Sequence, residues 1–87
     1  MTTKTAFITG ATSGIGAATA TYFAKNGINL ILCGRRQERL DALKAELQNQ
    51  VNVHTLTFDV RNKKDVANAI NGLPEAFQHI DILINNA

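Results

Sequence analysis

Thr9-Gly10-Ala11-Thr12-Ser13-Gly14-Ile15-Gly16 follows the short apolar run Ala6-Phe7-Ile8 and opens a helical pattern, so that a strand, a glycine-rich turn and a helix arrive in that order. A bound phosphate needs backbone N–H donors at close range, and residues without a Cβ let the main chain come close while turning sharply. Gly10 is placed to turn the chain out of the strand, Gly14 to admit a ligand at the helix N-terminus, and Gly16 to let the helix pack tightly on the sheet. That is the division of labour in a dinucleotide-binding turn. The spacing is G-x-x-x-G-x-G rather than G-x-G-x-x-G. A plain strand-to-helix turn is the competing reading of these residues taken alone.

Downstream, strand and helix keep alternating, with no repeat, low-complexity tract or linker. Residues 5–9, 28–33, 51–58 and 80–85 read as strands, each short and largely continuous in Ile, Leu, Val, Phe or Thr, the pattern of a parallel sheet covered on both faces. The first helix carries Ile15, Ala18 and Tyr22 at i, i+3 and i+7 and stops at Asn26-Gly27, a C-cap signal. The second, over 37–49, puts Leu40, Leu43 and Leu47 on one stripe. A third helical segment over 63–79 takes Asn62 as N-cap and Asp65 in its first turn, aligns Val66, Ile70, Leu73 and Phe77, and is bent or split by Gly72 and Pro74. Right-handed crossovers turn this order into an α/β fold, a partial Rossmann fold whose doubly wound parallel sheet has strand order 3-2-1-4. Two helices then cover one face and only the third segment the other, so Ile82, Leu83 and Ile84, with parts of Ile8 and Leu32, are expected to be incompletely covered.

At 87 residues and 45% hydrophobic, the chain can build one compact unit and no more. Its net charge of +2, from nine basic and seven acidic residues, is too weak for a nucleic-acid footprint, and no aromatic platform accompanies the one basic cluster, Arg35, Arg36 and Arg39. No stretch reaches the ~20 apolar residues that span a bilayer, and the N-terminal apolar run is too short for a signal peptide. The expectation is a cytoplasmic protein with neither nucleic acid nor membrane as partner. Cys33 stands alone within an apolar run and reads as a buried structural thiol. His54 and His79 have no further Cys, His or carboxylate at ligand spacing, so no metal site is expected, and Tyr22 reads as core packing with its hydroxyl near the surface.

Three elements in order, Thr9-Gly10-x-x-x-Gly14-Ile15-Gly16, Asp59-Val60 after the third strand and Asn85-Asn86-Ala87 after the fourth, resemble the N-terminal part of a short-chain dehydrogenase/reductase over the whole chain. The segment from Gly34 to Leu40, with Asp59-Val60-Arg61-Asn62, is similar to the branch that oxidises serine and 3-hydroxy acids with NADP. The resemblance implies that Gly10, Ala11, Thr12, Ser13, Gly14 and Ile15 form a diphosphate loop, that Asp59 accepts from the adenine amino group with the Val60 backbone fixing the ring, and that Asn86 lies near the adenosine ribose. An ordinary loop carboxylate at Asp59 and a purely structural Asn85-Asn86 pair remain the alternatives.

Cofactor choice is legible at the end of the second strand. An NAD site places Asp or Glu about 20 residues past the glycine motif to accept from the ribose hydroxyls. Here that position falls near Gly34, followed by Arg35 and Arg36, so nothing repels a 2′-phosphate and two guanidiniums can bond it. NADP is the expected cofactor, with solvated helix-start charges as the alternative role for each arginine. A basic residue immediately before the second glycine, common among NADP members of the family, is replaced by Ser13.

The chemistry that the resemblance implies needs a tyrosine, a lysine four residues later and a serine, all C-terminal to the Asn-Asn-Ala segment. Tyr22 is the only tyrosine and has Lys25 three residues on. The expectation is therefore a truncated cofactor-binding part of an NADP-dependent oxidoreductase that moves hydride between NADP(H) and a small hydroxy or carbonyl substrate such as a 3-hydroxy acid or serine, the parent enzyme being a homo-oligomer. A self-standing nucleotide-binding or interaction module without catalysis is the alternative.

Overall fold

Buried on both sides, the first strand organises everything else. The computed structural model describes residues 3–59 and 61–86. β1 (Thr5–Thr9) is followed by α1 (Gly14–Lys25), β2 (Asn29–Gly34), α2 (Gln37–Leu47), β3 (Val53–Thr57), α3 (Lys63–Asn71), a 3-10 turn at Glu75–Phe77 and β4 (Ile82–Asn85). The strands form one parallel sheet in the order β3-β2-β1-β4, in register Ala6 to Leu30 and Ile82, and Leu32 to Thr55. This is the α/β, doubly wound order that the alternation of elements predicts. The ends differ by small amounts: β3 is shorter than 51–58, β4 begins at Ile82 rather than residue 80, and α2 stops at Leu47.

Alternation along the strands sorts the core into two layers. Ala6, Ile8, Leu30, Leu32 and Val53 meet Ala20 and Ala24 of α1 and Leu40, Leu43 and Leu47 of α2. On the other face Phe7, Ile31 and Cys33 meet Leu73, with Phe77 and Ile80 packed beside them. Each fully buried Leu, Ile or Phe in these layers contributes about 1.5–3 kcal/mol through the water it no longer contacts.

Three expectations are corrected here. The apolar stripe Ile15, Ala18 and Tyr22 is the outer face of α1, with Ile15 73% and Tyr22 65% exposed. The inner stripe is Gly16, Ala20 and Ala24. A helix that must approach the sheet closely needs small residues at the contact, and a Cβ on Gly16 would stand 2.1 Å from the Gly10 carbonyl oxygen. Tyr22 is therefore not core packing. Ile8 and Leu32 are fully buried, because they project to the face carrying both helices. The incomplete cover falls instead on the opposite face and at the β4 edge: Leu83 is 66% exposed, Ile82 and Ile84 are half-buried, and α3 contains no buried residue.

Local signals place the helix ends. Ser13 caps α1 by accepting from the Gly16 N–H, and Asn62 caps α3 by accepting from Lys64 and Asp65. Gly27, at φ +74°, closes α1 as the Asn26-Gly27 signal requires. Gly72 and Pro74 split the third segment, and Leu73 between the two pieces is the residue driven into the core. Among the described residues no helix is long and apolar enough to cross a membrane.

Candidate functional site

Parallel strands deliver their C-terminal ends to one edge, and ligands of open α/β sheets bind there, where the strand order reverses. In this sheet the reversal lies between β1 and β4. A cavity of about 480 Å³ opens at that edge, walled by Gly10, Thr12 and Ser13 after β1, by Gly34, Arg35, Arg36 and Arg39 after β2, by Phe58, Asp59 and Arg61 after β3, and by Asn86 after β4.

The floor is the turn into α1. Gly10 takes φ +61°, a conformation that disfavours any side chain. Ser13 Oγ donates to the Gly10 carbonyl at 2.9 Å and accepts from the Gly16 N–H at 3.1 Å and from Asn86 Nδ2 at 2.7 Å. Asn86 also donates from its backbone N–H to Thr9 Oγ1, and that hydroxyl donates to Asn85 Oδ1 at 2.9 Å. The Asn85-Asn86 pair thus ties the end of β4 to the glycine turn and holds its shape. Ala11 is fully buried and its N–H is taken by the Cys33 carbonyl. Among the described residues, the N–H groups of Thr12, Gly14 and Ile15 have no acceptor, and they stand at the positive end of α1. A Cβ on Gly14 would meet nothing within 4 Å, so no packing within the fold asks for glycine there.

The walls carry the charge. Arg35, Arg36 and Arg39 are exposed and, among the described residues, form no ion pair. The helix that starts at Gln37 places Arg36 as its N-cap and Arg39 in its first turn. Opposite, Asp59 and Arg61 make a fork: Arg61 Nε lies 3.1 Å from each Asp59 carboxylate oxygen, Nη2 lies 2.7 Å from Oδ2, and the Arg61 backbone N–H donates to Oδ1 at 3.0 Å. These bonds hold the Asp59 carboxyl down to about 2.

Of the residues expected at a site, Gly10, Thr12, Ser13, Arg35, Arg36, Asp59 and Asn86 share this cavity. Gly14 and Ile15 line a shallower apolar hollow on the flank of α1, with Ala18, Thr19 and Tyr22. Val60 lies outside the described residues. The reading of the sequence missed Gly34, Arg39, Phe58 and Arg61. Arg39 follows Arg36 by three residues on a helix and so shares its side, a signal present in the spacing; Arg61 carried none beyond its nearness to Asp59.

The remaining singled-out groups are inert. Cys33 is fully buried and burial pushes its thiol up to about 12. His54 is half-buried, 5.4 Å from the Phe77 ring, with its pKa lowered by burial and then by Lys44. Among the described residues no three His, Cys, Asp or Glu side chains could hold a metal ion together.

The family model described as short chain dehydrogenase matches residues 4–87. The chain is 55% identical over 80 residues to sulfoacetaldehyde reductase 2 of Chromohalobacter salexigens, covering 92% of this chain and 32% of that protein. It is 51% identical over 83 residues to serine 3-dehydrogenase of Rhizobium radiobacter, covering 95% of this chain and 32% of that one. A closed form of serine dehydrogenase complexed with NADP+ superposes with a TM-score of 0.84 at 41% identity, over 95% of this chain and 33% of the other. The chain thus spans about a third of the length of the relatives it matches.

Proposed function

The chain belongs to the short chain dehydrogenase family, and on that premise we propose that it binds NADP(H) in the cavity at the C-terminal edge of its sheet, as the cofactor-binding part of an oxidoreductase. The diphosphate lies against the turn formed by Gly10, Ala11, Thr12, Ser13, Gly14 and Ile15, where the free N–H groups of Thr12, Gly14 and Ile15 meet the positive end of α1. The 2′-phosphate lies between Arg35 and Arg36, the adenine by Asp59 and Val60, and the ribose near Asn86. The observation that carries the reading is the meeting, in one cavity, of a helix N-terminus with free donors and three arginines without carboxylate partners among the described residues.

When bound, the nicotinamide supplies the hydride donor or acceptor. The residues of this chain hold and orient the other end of the cofactor. The chain's one tyrosine, Tyr22, lies on the exposed flank of α1 with Lys25 three residues on, so among the described residues no tyrosine–lysine pair lines the cavity to pass a proton to a substrate. The 87 residues are accordingly expected to bind nucleotide without transferring hydride. The substrate class proposed for the whole enzyme is a small hydroxy or carbonyl compound such as serine or another 3-hydroxy acid, supported by the serine 3-dehydrogenase relative; the sulfoacetaldehyde reductase relative adds a small anionic aldehyde to that class.

Titration of the chain with NADP+ and NAD+ tests the proposal. Arg35→Ala is expected to weaken NADP+ by about 1.5–3 kcal/mol and NAD+ far less, through loss of a charge-assisted bond, with Arg36→Ala acting in the same direction by a smaller amount. Equal losses for both nucleotides contradict the assignment of the 2′-phosphate to these arginines.

A further inference from the structure

Arg61 lies in the wall of the cavity, yet the proposed function leaves it without a task. We propose that Arg61 is a positioning residue for cofactor choice: by clamping Asp59 it neutralises the one carboxylate in the cavity wall, and so lets a 2′-phosphate settle on the arginines opposite. This inference rests on the NADP reading of the site.

The geometry supports a role exerted through Asp59 rather than on the ligand directly. Nε and Nη2 of Arg61 are both engaged with the carboxylate, and the backbone N–H of Arg61 bonds the same group, so side chain and main chain converge on Asp59. A carboxyl held down to about 2 is anionic at neutral pH. Left bare, it would face a dianionic phosphate across the same cavity that Arg35, Arg36 and Arg39 line, and cancel part of their attraction. With the fork closed, Asp59 and Arg61 form a net-neutral pair, so the Asp59 charge, which also reaches Arg35, offsets less of the arginines' attraction for the phosphate. The pair also holds the loop after β3 with the Asp59 carboxylate turned onto Arg61, two residues beyond it.

The experiment measures the NADP+ to NAD+ affinity ratio for the full chain, for Arg61→Ala, Arg61→Lys and the double variant Asp59→Asn/Arg61→Ala, each at low and high salt. The Arg61 side chain is 78% exposed, so its removal leaves the core untouched. Arg61→Ala is expected to lower the ratio roughly three- to tenfold, an effect that shrinks as salt rises. Arg61→Lys is expected to restore most of the ratio, and removal of the Asp59 charge in the double variant to restore it without any residue at 61 to help. A structural role would move both nucleotides together and would not be rescued by Asp59→Asn. An unchanged ratio in Arg61→Ala overturns the inference, as does a double variant as impaired as the single one, which would mean that Arg61 touches the phosphate itself. If the unaltered chain shows no preference for NADP+, the functional reading falls together with the inference; if it does and Arg61→Ala keeps that preference, the inference alone falls.

Discussion

Gly14 and Gly16 sit two residues apart on the same helix and answer to different demands. At Gly16 a Cβ would run into the Gly10 carbonyl at 2.1 Å, so glycine there is required by the fold. At Gly14 a Cβ would reach open space, and its φ is not in the left-handed region, so the fold gains nothing from glycine there. Glycine in that helix position leaves extra freedom in the unfolded chain without compensation. The compensation is proposed to come from outside, as the close approach of a diphosphate. Gly14→Ala is therefore expected to raise the unfolding free energy by about 0.4–1 kcal/mol in urea titration while weakening NADP+ binding. Gly16→Ala is expected to lower stability by about 1–3 kcal/mol through overpacking. A Gly14→Ala chain that binds NADP+ as tightly as the original contradicts the role given to that residue. The packing role of Gly16 was legible in the G-x-x-x-G-x-G spacing, and the role proposed for Gly14 rests on the same spacing. The pairing of Arg61 with Asp59 was not legible, because two residues apart in a loop carries no periodicity from which a side-chain direction follows.

At the scale of elements, the start of β1 is held to the approach to β4 by the Asp81 carboxylate together with a backbone hydrogen bond. Asp81 Oδ2 accepts from the Thr5 N–H at 2.9 Å, the Asp81 N–H donates to the Thr5 carbonyl at 2.9 Å, and His79 Nε2 lies 2.9 Å from Oδ1. The Thr5 bond holds the Asp81 carboxyl below its ordinary 3.8, followed in effect by its burial, which opposes the shift, and then by the charge of His79. A carboxylate whose folded pKa is depressed contributes stability above its unfolded pKa and loses it as pH falls through the folded value. The stability difference between the chain and Asp81→Asn is thus expected to be present at pH 5 and to shrink as pH falls through and below 3.8. Urea unfolding across that range measures it, and a difference that stays constant to pH 2 counts against the latch. Short, continuous apolar runs such as Leu30-Ile31-Leu32 were enough to place β1, β2 and, to within two residues, β4, since they suit strands covered on both faces. The inner face of α1 was misassigned because large apolar residues, Ile15 and Tyr22, outweigh Gly16, Ala20 and Ala24 in any count of hydrophobicity. Close packing onto a sheet selects for small size instead.

For the whole molecule, the two faces of the sheet are unequally covered. Two helices close one face, and α3 with a short turn only partly closes the other, leaving Leu83 and Ile70 exposed at 66% and 39%. The cavity lies at the strand ends, and its floor is braced by β1, α1 and β4 through Thr9, Ser13 and Asn86. Buried strand ends and these hydrogen bonds therefore support the turn proposed to hold the phosphates, with its donors set before a ligand arrives. That the cavity, and no other surface, receives NADP+ is the central claim. Amide chemical-shift mapping of the isotope-labelled chain during titration with NADP+ tests it most directly. The account predicts saturable shifts concentrated at Thr12, Gly14, Arg35, Arg36 and Asp59, with α3 unmoved. Shifts centred on the α1 flank at Ala18 and Tyr22 or on α3, or a spectrum unchanged at saturating NADP+, would contradict it.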